Sequence, residues 1–107
     1  MGKKTIDKEH NIASETLASG LLNIKMEPLI FTLGIDAELS KELMYPEGER
    51  FGIVLNGRIE FIFDGEKRVF EEGDSVYCIY PRIPQRVKNI GQTEAKLLWI
   101  MFIQVYG

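Results

Sequence analysis

Residues 44–57 read M-Y-P-E-G-E-R-F-G-I-V-L-N-G, and they hold the signals from which the rest of the chain can be read. Y-P-E-G is turn chemistry: Pro46 presets φ, and Gly48 accepts conformations closed to other residues. F-G-I-V-L, residues 51–55, is short, apolar and partly β-branched, which predicts a strand. Asn56 and Gly57 form the strongest short-range hairpin signal, because both tolerate positive φ. R-I-E-F-I-F follows and alternates, with Ile59, Phe61 and Phe63 on one face and Arg58, Glu60 and Ile62 on the other. Asp64-Gly65 predicts a second hairpin, and Glu72-Gly73-Asp74 a third turn.

The pattern continues in both directions. Towards the C-terminus, residues 66–72, 75–80, 85–90 and 95–106 read as strands, separated by E-G-D, by P-R-I-P and by N-I-G-Q-T-E. Towards the N-terminus, residues 21–27 and 29–35 read as two strands, with Pro28 at an edge or break because it lacks an N–H. D-A-E-L-S-K-E-L, residues 36–43, reads as a bulged strand or a loop. Residues 1–20 are mixed and polar, and N-I-A-S-E-T-L-A-S-G-L-L suits a short helical turn or two. Many short strands with regular glycine turns predict an all-β sandwich or barrel. The division expected is an N-terminal arm or short helix over residues 1–20, then one β domain over residues 21–107.

Composition limits the function classes. A chain of 107 residues is enough for one domain, and 45% hydrophobic with 27% charged residues is ordinary globular composition. The formal charge of 13 − 16 = −3 gives no general basic excess for a nucleic-acid backbone. Arg82, Arg86 and Lys88 form one local basic cluster, too small for such a role and without aromatic interleaving on the same face. A single cysteine, Cys78, forms no internal disulfide, which fits a reducing compartment. No secretory signal and no apolar run long enough to span a membrane are seen, so a cytoplasmic location without nucleic-acid or membrane partners is expected. Residues 97–103 are apolar almost throughout. One face of that strand can enter the core, while the other needs a second sheet, the N-terminal arm or a subunit to cover it. A homodimer is therefore expected.

The order of motifs resembles the cupin superfamily, specifically its small single-domain members, over about residues 40–103. G-E-R-F-G-I-V-L-N-G-R-I-E-F is similar to the first cupin motif. E-E-G-D-S-V-Y-C-I-Y-P-R-I-P-Q-R-V-K-N-I-G is similar to the second, and A-K-L-L-W-I to the strand that follows it. The resemblance implies a double-stranded β-helix, a jelly-roll barrel of two antiparallel sheets with a pocket at one end. It also implies a metal held by two histidines and a glutamate of the first motif and a histidine of the second. Here the glutamate position falls on Arg50, the paired histidines among Leu43, Met44, Tyr45 and Pro46, and the last histidine on Gln85. The only histidine, His10, lies outside both motifs. No metal and no cofactor are expected, and the family's metal-dependent chemistry does not carry over.

A cation at Arg50 would repel a metal but could grip an anion through its planar fork of donors. If Arg50 and Gln85 face inward, the interior suits an anion or carboxylate. The plainer readings are that Arg50 pairs with a carboxylate such as Glu42, reaches solvent or touches a second subunit, and that Gln85 satisfies a loop carbonyl near Pro84. Tyr45, Tyr77 and Tyr80 are the remaining ligand-binding candidates, with packing as their alternative role. By parity Tyr77 and Ile79 share one face, and Val76, Cys78 and Tyr80 the other. Cys78 reads as a small buried hydrophobe. The functional expectation is a cupin that binds a small molecule (anion, carboxylate or sugar) without a metal. The alternatives are a small isomerase or lyase working through Tyr45, Glu42 or Glu49 beside Arg50, and a dimerising interaction module. A centre packed by Phe61, Phe63 and Trp99 would favour the module, and an open cavity would favour binding.

Overall fold

The computed structural model describes residues 3–18, 20, 21, 23–39, 48–79 and 81–102. They form nine strands: β1 (Lys3–Asp7), β2 (Ile12–Thr16), β3 (Met26–Leu33), β4 (Arg50–Asn56), β5 (Arg58–Phe63), β6 (Glu66–Glu71), β7 (Ser75–Cys78), β8 (Arg86–Asn89) and β9 (Ala95–Phe102). Six of them make one antiparallel sheet in the order β1-β2-β3-β9-β4-β7, and three make a second in the order β6-β5-β8. The core lies between these layers. Leu29, Phe31 and Leu33 of β3, Val54 of β4, and Leu97 and Trp99 of β9 meet Ile59, Phe61, Phe63 and Val87 from the smaller sheet.

The all-β expectation holds, but the closed barrel does not. A barrel needs an unbroken ring of ladder hydrogen bonds. Among the described residues no strand of one sheet pairs with a strand of the other. The reason is visible at the corner between β6 and β7. The Gly73 N–H donates to the Val54 carbonyl and the Val54 N–H to the Asp74 carbonyl, both at 2.9 Å, so the turn is anchored on β4. The chain thereby steps from the edge of the small sheet to the edge of the large one, and β6 and β7 part without pairing. The arrangement is a two-layer sandwich.

The two hairpin signals have different outcomes. Asp64-Gly65 is a true two-residue hairpin: Phe63 opposes Glu66, and both turn residues have positive φ, 49° and 80°. Asn56-Gly57 is not a hairpin, since β4 and β5 belong to different sheets. Only Gly57 takes positive φ, at 90°, and a bulge between Val54 and Asn56 bends the strand just before it. The Asn56 side chain donates to the Glu94 carbonyl at 3.1 Å, which fastens this corner to the approach of β9.

Two further expectations are corrected. The N-terminal stretch shows no helix among its described residues. β1 and β2 form a hairpin that docks on β3, with Ile12 opposite Leu33 and Thr16 opposite Leu29. Pro28 does not divide two strands but lies within β3, opposite Ile100. Its carbonyl accepts from the Leu17 N–H at 3.0 Å, so its missing donor also faces β2, where the ladder ends. β9 is not an edge strand: it lies between β3 and β4, with Leu97 and Trp99 inward and Leu98 and Ile100 outward and half-buried. No helix among the described residues is long and apolar enough to cross a membrane.

Asn89 is the one neutral polar side chain buried outright among the described residues. Its Nδ2 donates to the carbonyls of Leu33, Gly34 and Thr93 at 3.0, 3.0 and 2.9 Å, and its Oδ1 accepts from the Gly91 N–H at 2.9 Å. It ties the end of β3 to the β8–β9 turn.

Candidate functional site

β4 alternates strictly at its start, so Arg50, Gly52 and Val54 face the interior while Phe51 and Ile53 face outward. Arg50 is 2% exposed, the largest charged group inside the described structure. It stands in one inward row with Cys78 of β7 and Met101 of β9, directly opposite both. Burial lowers the Arg50 pKa from its ordinary value by removing water from the cation. Burial also pushes the Cys78 thiol up to about 11, against the opposing pull of the Arg50 and Arg82 charges. The thiol is therefore held as a neutral S–H.

Tyr77 lies on the other side of its strand from Cys78, paired with Phe51 and 57% exposed. Its hydroxyl donates to Glu49 Oε2, and this bond raises the phenol pKa. Gln85 is exposed. Its Oε1 accepts from the Gly65 N–H at 2.9 Å, and its own N–H donates to the Ile62 carbonyl at 2.7 Å. It thus braces the Asp64-Gly65 hairpin. The structure does not bring Arg50, Tyr77 and Gln85 to one point. Tyr45, Tyr80 and Glu42 lie outside the described residues.

The centre of the sandwich is packed by Phe61, Phe63 and Trp99, the outcome expected of an interaction module and not of a central binding cavity. Phe61 stacks on Phe63 and Trp99 with ring centroids 6.0 and 6.4 Å apart, and meets Phe70 at 4.8 Å in a tilted contact. Open space lies instead at the seam where β6 and β7 part. A cavity of about 330 Å³ is bounded there by Phe63, Phe70, Val76, Tyr77 and Ile79, with Arg68 and Arg82 at its rim. Arg68 contacts Glu66 at 3.5 Å and Arg82 contacts Asp64 at 3.6 Å, both pairs well exposed. A second groove of about 340 Å³ runs beside the N-terminal hairpin, where Lys4, Lys8 and Lys96 alternate with Asp7 and Glu94.

Sequence reasoning had located Tyr77 but not Arg68, Phe70 or Arg82 as cavity residues. Arg68 and Phe70 are on an edge strand whose exposed, charged pattern reads as solvated, and only the corner at Gly73 turns them towards β7. The signal that could have found them is the E-G-D turn, taken as a change of sheet.

Comparison with known proteins bears on the same fold. The family model described as "Cupin domain" matches residues 36–101. The chain belongs to the cupin domain family. No curated protein matches it. Among solved structures, the cupin domain of an XRE family transcriptional regulator from Enterobacter cloacae is 15% identical with a TM-score of 0.73, over 89% of this chain and 99% of that one. A cupin 2 conserved barrel domain protein from Salinispora arenicola is 19% identical with a TM-score of 0.73, over 96% and 89%. A cupin superfamily sugar phosphate isomerase from Silicibacter pomeroyi is 18% identical with a TM-score of 0.73, and this chain spans only 60% of its length. A regulator domain and an isomerase are equally similar, so the likeness carries the fold and leaves the activity to the site.

The residues of this cupin do not fit the divalent metal that its family commonly holds. The carboxylate position carries the buried Arg50 cation, and the amide oxygen of Gln85 is already bonded to the backbone of the β5–β6 turn. Among the described residues no group of three or more His, Cys, Asp or Glu is placed to hold a metal ion. Residues 43–46, the remaining ligand positions, lie outside the described residues and supply Leu, Met, Tyr and Pro, none of which offers an imidazole or a carboxylate.

Proposed function

We propose that this cupin domain binds a small molecule, an anion, carboxylate or sugar, in the cavity at the β6–β7 seam. The observation that carries the reading is the cavity itself: about 330 Å³ of open space between two sheets whose centre is otherwise filled, with apolar walls and arginines at the rim. That is the usual make-up of a ligand site, at the small end of the range of about 300–1,000 Å³. Arg50 does not line it. It stands one inward position along β4 from Gly52, the residue opposite Val76. Tyr77, held by Glu49, orients the ligand. Tyr45 and Tyr80, outside the described residues, remain candidate ligand contacts, as does Gln85, though it braces the Asp64-Gly65 hairpin and is not among the residues that bound this cavity. Thermal-shift and ligand-observed NMR screening against carboxylates, phosphates and sugars tests it. Val76→Phe, which fills the cavity from its half-buried wall, should abolish whatever binding is found. Binding that survives this substitution would refute the location.

A homodimer is the second element, favoured by the outer face of the large sheet. Phe51 and Ile53 of β4, Leu98 and Ile100 of β9, and Ile30 of β3 form adjacent cross-strand rows there, half-buried in the single chain. Sheet faces of this kind pack on one another about 10 Å apart. Sedimentation analysis should give two chains for the wild type and one for Ile53→Lys. A wild-type monomer at high micromolar concentration would refute the dimer.

A further inference from the structure

We infer that the seam cavity takes an amphipathic monoanion: one carboxylate carried on a flat, apolar, single-ring body. The inference rests on the binding reading above and narrows it to a ligand class. The walls decide the body. Phe63 and Phe70 come from the inward face of the small sheet and Val76 from the inward side of β7, while Tyr77, on the outward side of β7, and Ile79, just past its end, border the mouth and are more than half exposed. These five side chains make an aromatic and aliphatic slot with only the Tyr77 hydroxyl as a neutral polar group, and that hydroxyl is already committed to Glu49. A sugar, with a hydroxyl on nearly every carbon, would leave most of its donors and acceptors unpaired in such a slot. A flat apolar ring would bury its faces there.

The rim decides the charge. Arg68 and Arg82 both reach the cavity, one from each side of the seam. Their present partners hold them weakly, because the contacts of 3.5 and 3.6 Å are long and the side chains are more than half exposed. Exchanging Glu66 or Asp64 for a ligand carboxylate therefore costs little, and a guanidinium offers that carboxylate a paired, planar set of donors. The displaced carboxylates stay at the rim. They set a negative border that penalises a second charge on the ligand, so a phosphate dianion or a dicarboxylate is disfavoured relative to a monoanion.

The test uses the full chain, labelled with ¹⁵N, and three probes: phenylacetate, its neutral isostere phenylacetamide, and gluconate, a monoanion with a polar body. Phenylacetate should bind with a Kd of about 0.1–1 mM, as expected for a ligand of this size. Its amide shifts should centre on Phe70, Val76, Tyr77 and Ile79. Phenylacetamide should bind at least about fivefold more weakly, and Arg68→Gln and Arg82→Gln should each weaken phenylacetate about three- to fivefold. Both arginines are exposed, so the variants keep the fold. Equal binding of acid and amide would overturn the role of the rim. Tighter binding of gluconate at the same residues would overturn the ligand class and leave the binding reading standing. If none of the three probes binds, the inference falls, and the broader screen together with Val76→Phe decides the reading separately.

Discussion

Gly52→Ala is the substitution whose effect the structure defines most sharply. Gly52 faces inward on β4, opposite Trp99 on one side and Val76 on the other. A methyl group built there would lie 2.6 and 2.7 Å from Trp99 Cε3 and Cζ3, and 3.4 Å from Val76 Cγ1. Carbon atoms sit about 3.5–4.0 Å apart at rest, so the indole must retreat by roughly 1 Å. Its room to move is small: Trp99 is fully buried and in ring contact with Phe61. Overpacking of this kind costs about 1–3 kcal/mol. Against it stands the lower entropy of an unfolded chain with alanine, about 0.4–1 kcal/mol, since Gly52 does not use positive φ. The balance is a loss of about 1–2 kcal/mol, or roughly 5–15 °C in Tm for a domain of this size. Urea unfolding followed by the fluorescence of Trp99 and by circular dichroism measures it. The Gly52→Ala, Trp99→Leu double variant should recover part of the loss, with a coupling of about 0.5–3 kcal/mol. A Gly52→Ala protein as stable as wild type, or strict additivity in the double variant, would refute the close contact.

Cys78→Ala should remove a slice of alkaline sensitivity. The folded thiol titrates near 11 against an ordinary 9.0, so its stabilisation is complete below about pH 9 and is lost as pH rises towards 11. Two pK units correspond to at most about 2.7 kcal/mol, read as the difference between wild type and variant in urea unfolding at pH 8 and pH 10.5. Asn89→Leu should destabilise by about 2–4 kcal/mol, because three backbone carbonyls and the Gly91 N–H lose their partner together; an unchanged urea midpoint would contradict that. Tyr77→Phe should leave stability within about 0.5 kcal/mol, since the Glu49 bond is at the surface, and a larger drop in the urea midpoint would contradict that.

How far the chain could be read depended on the range of the forces involved. The β5 alternation was legible, because the pleat alone puts Ile59, Phe61 and Phe63 on one face, and all three are buried. The Asp64-Gly65 hairpin was legible because its two residues carry the whole turn. Asn56-Gly57 misled because the same dipeptide suits a corner, and a bulge with the tight approach of Ala95 to Gly57 decides between them. Pro28 misled for a similar reason: whether a missing N–H matters depends on which neighbour it faces. The burial of Arg50 follows from strand parity once the core face is known. Gln85 could not be placed from sequence, since its partner Gly65 is twenty residues away, with β6 and β7 between them.

The position of β7 has a consequence in time rather than in space. β9 has a hydrogen-bonded neighbour on each side, whereas among the described residues β7 is tied to β4 alone, over four residue pairs. Opening free energies follow such differences, so amide exchange should run well ahead in β7, as in the other edge strands, and reach β9 last. When β7 lifts, the Arg50 guanidinium and the Cys78 thiol meet water while the rest of the sandwich remains assembled. The interior of this small domain is thus closed on average but intermittently accessible, at a rate set by one short strand.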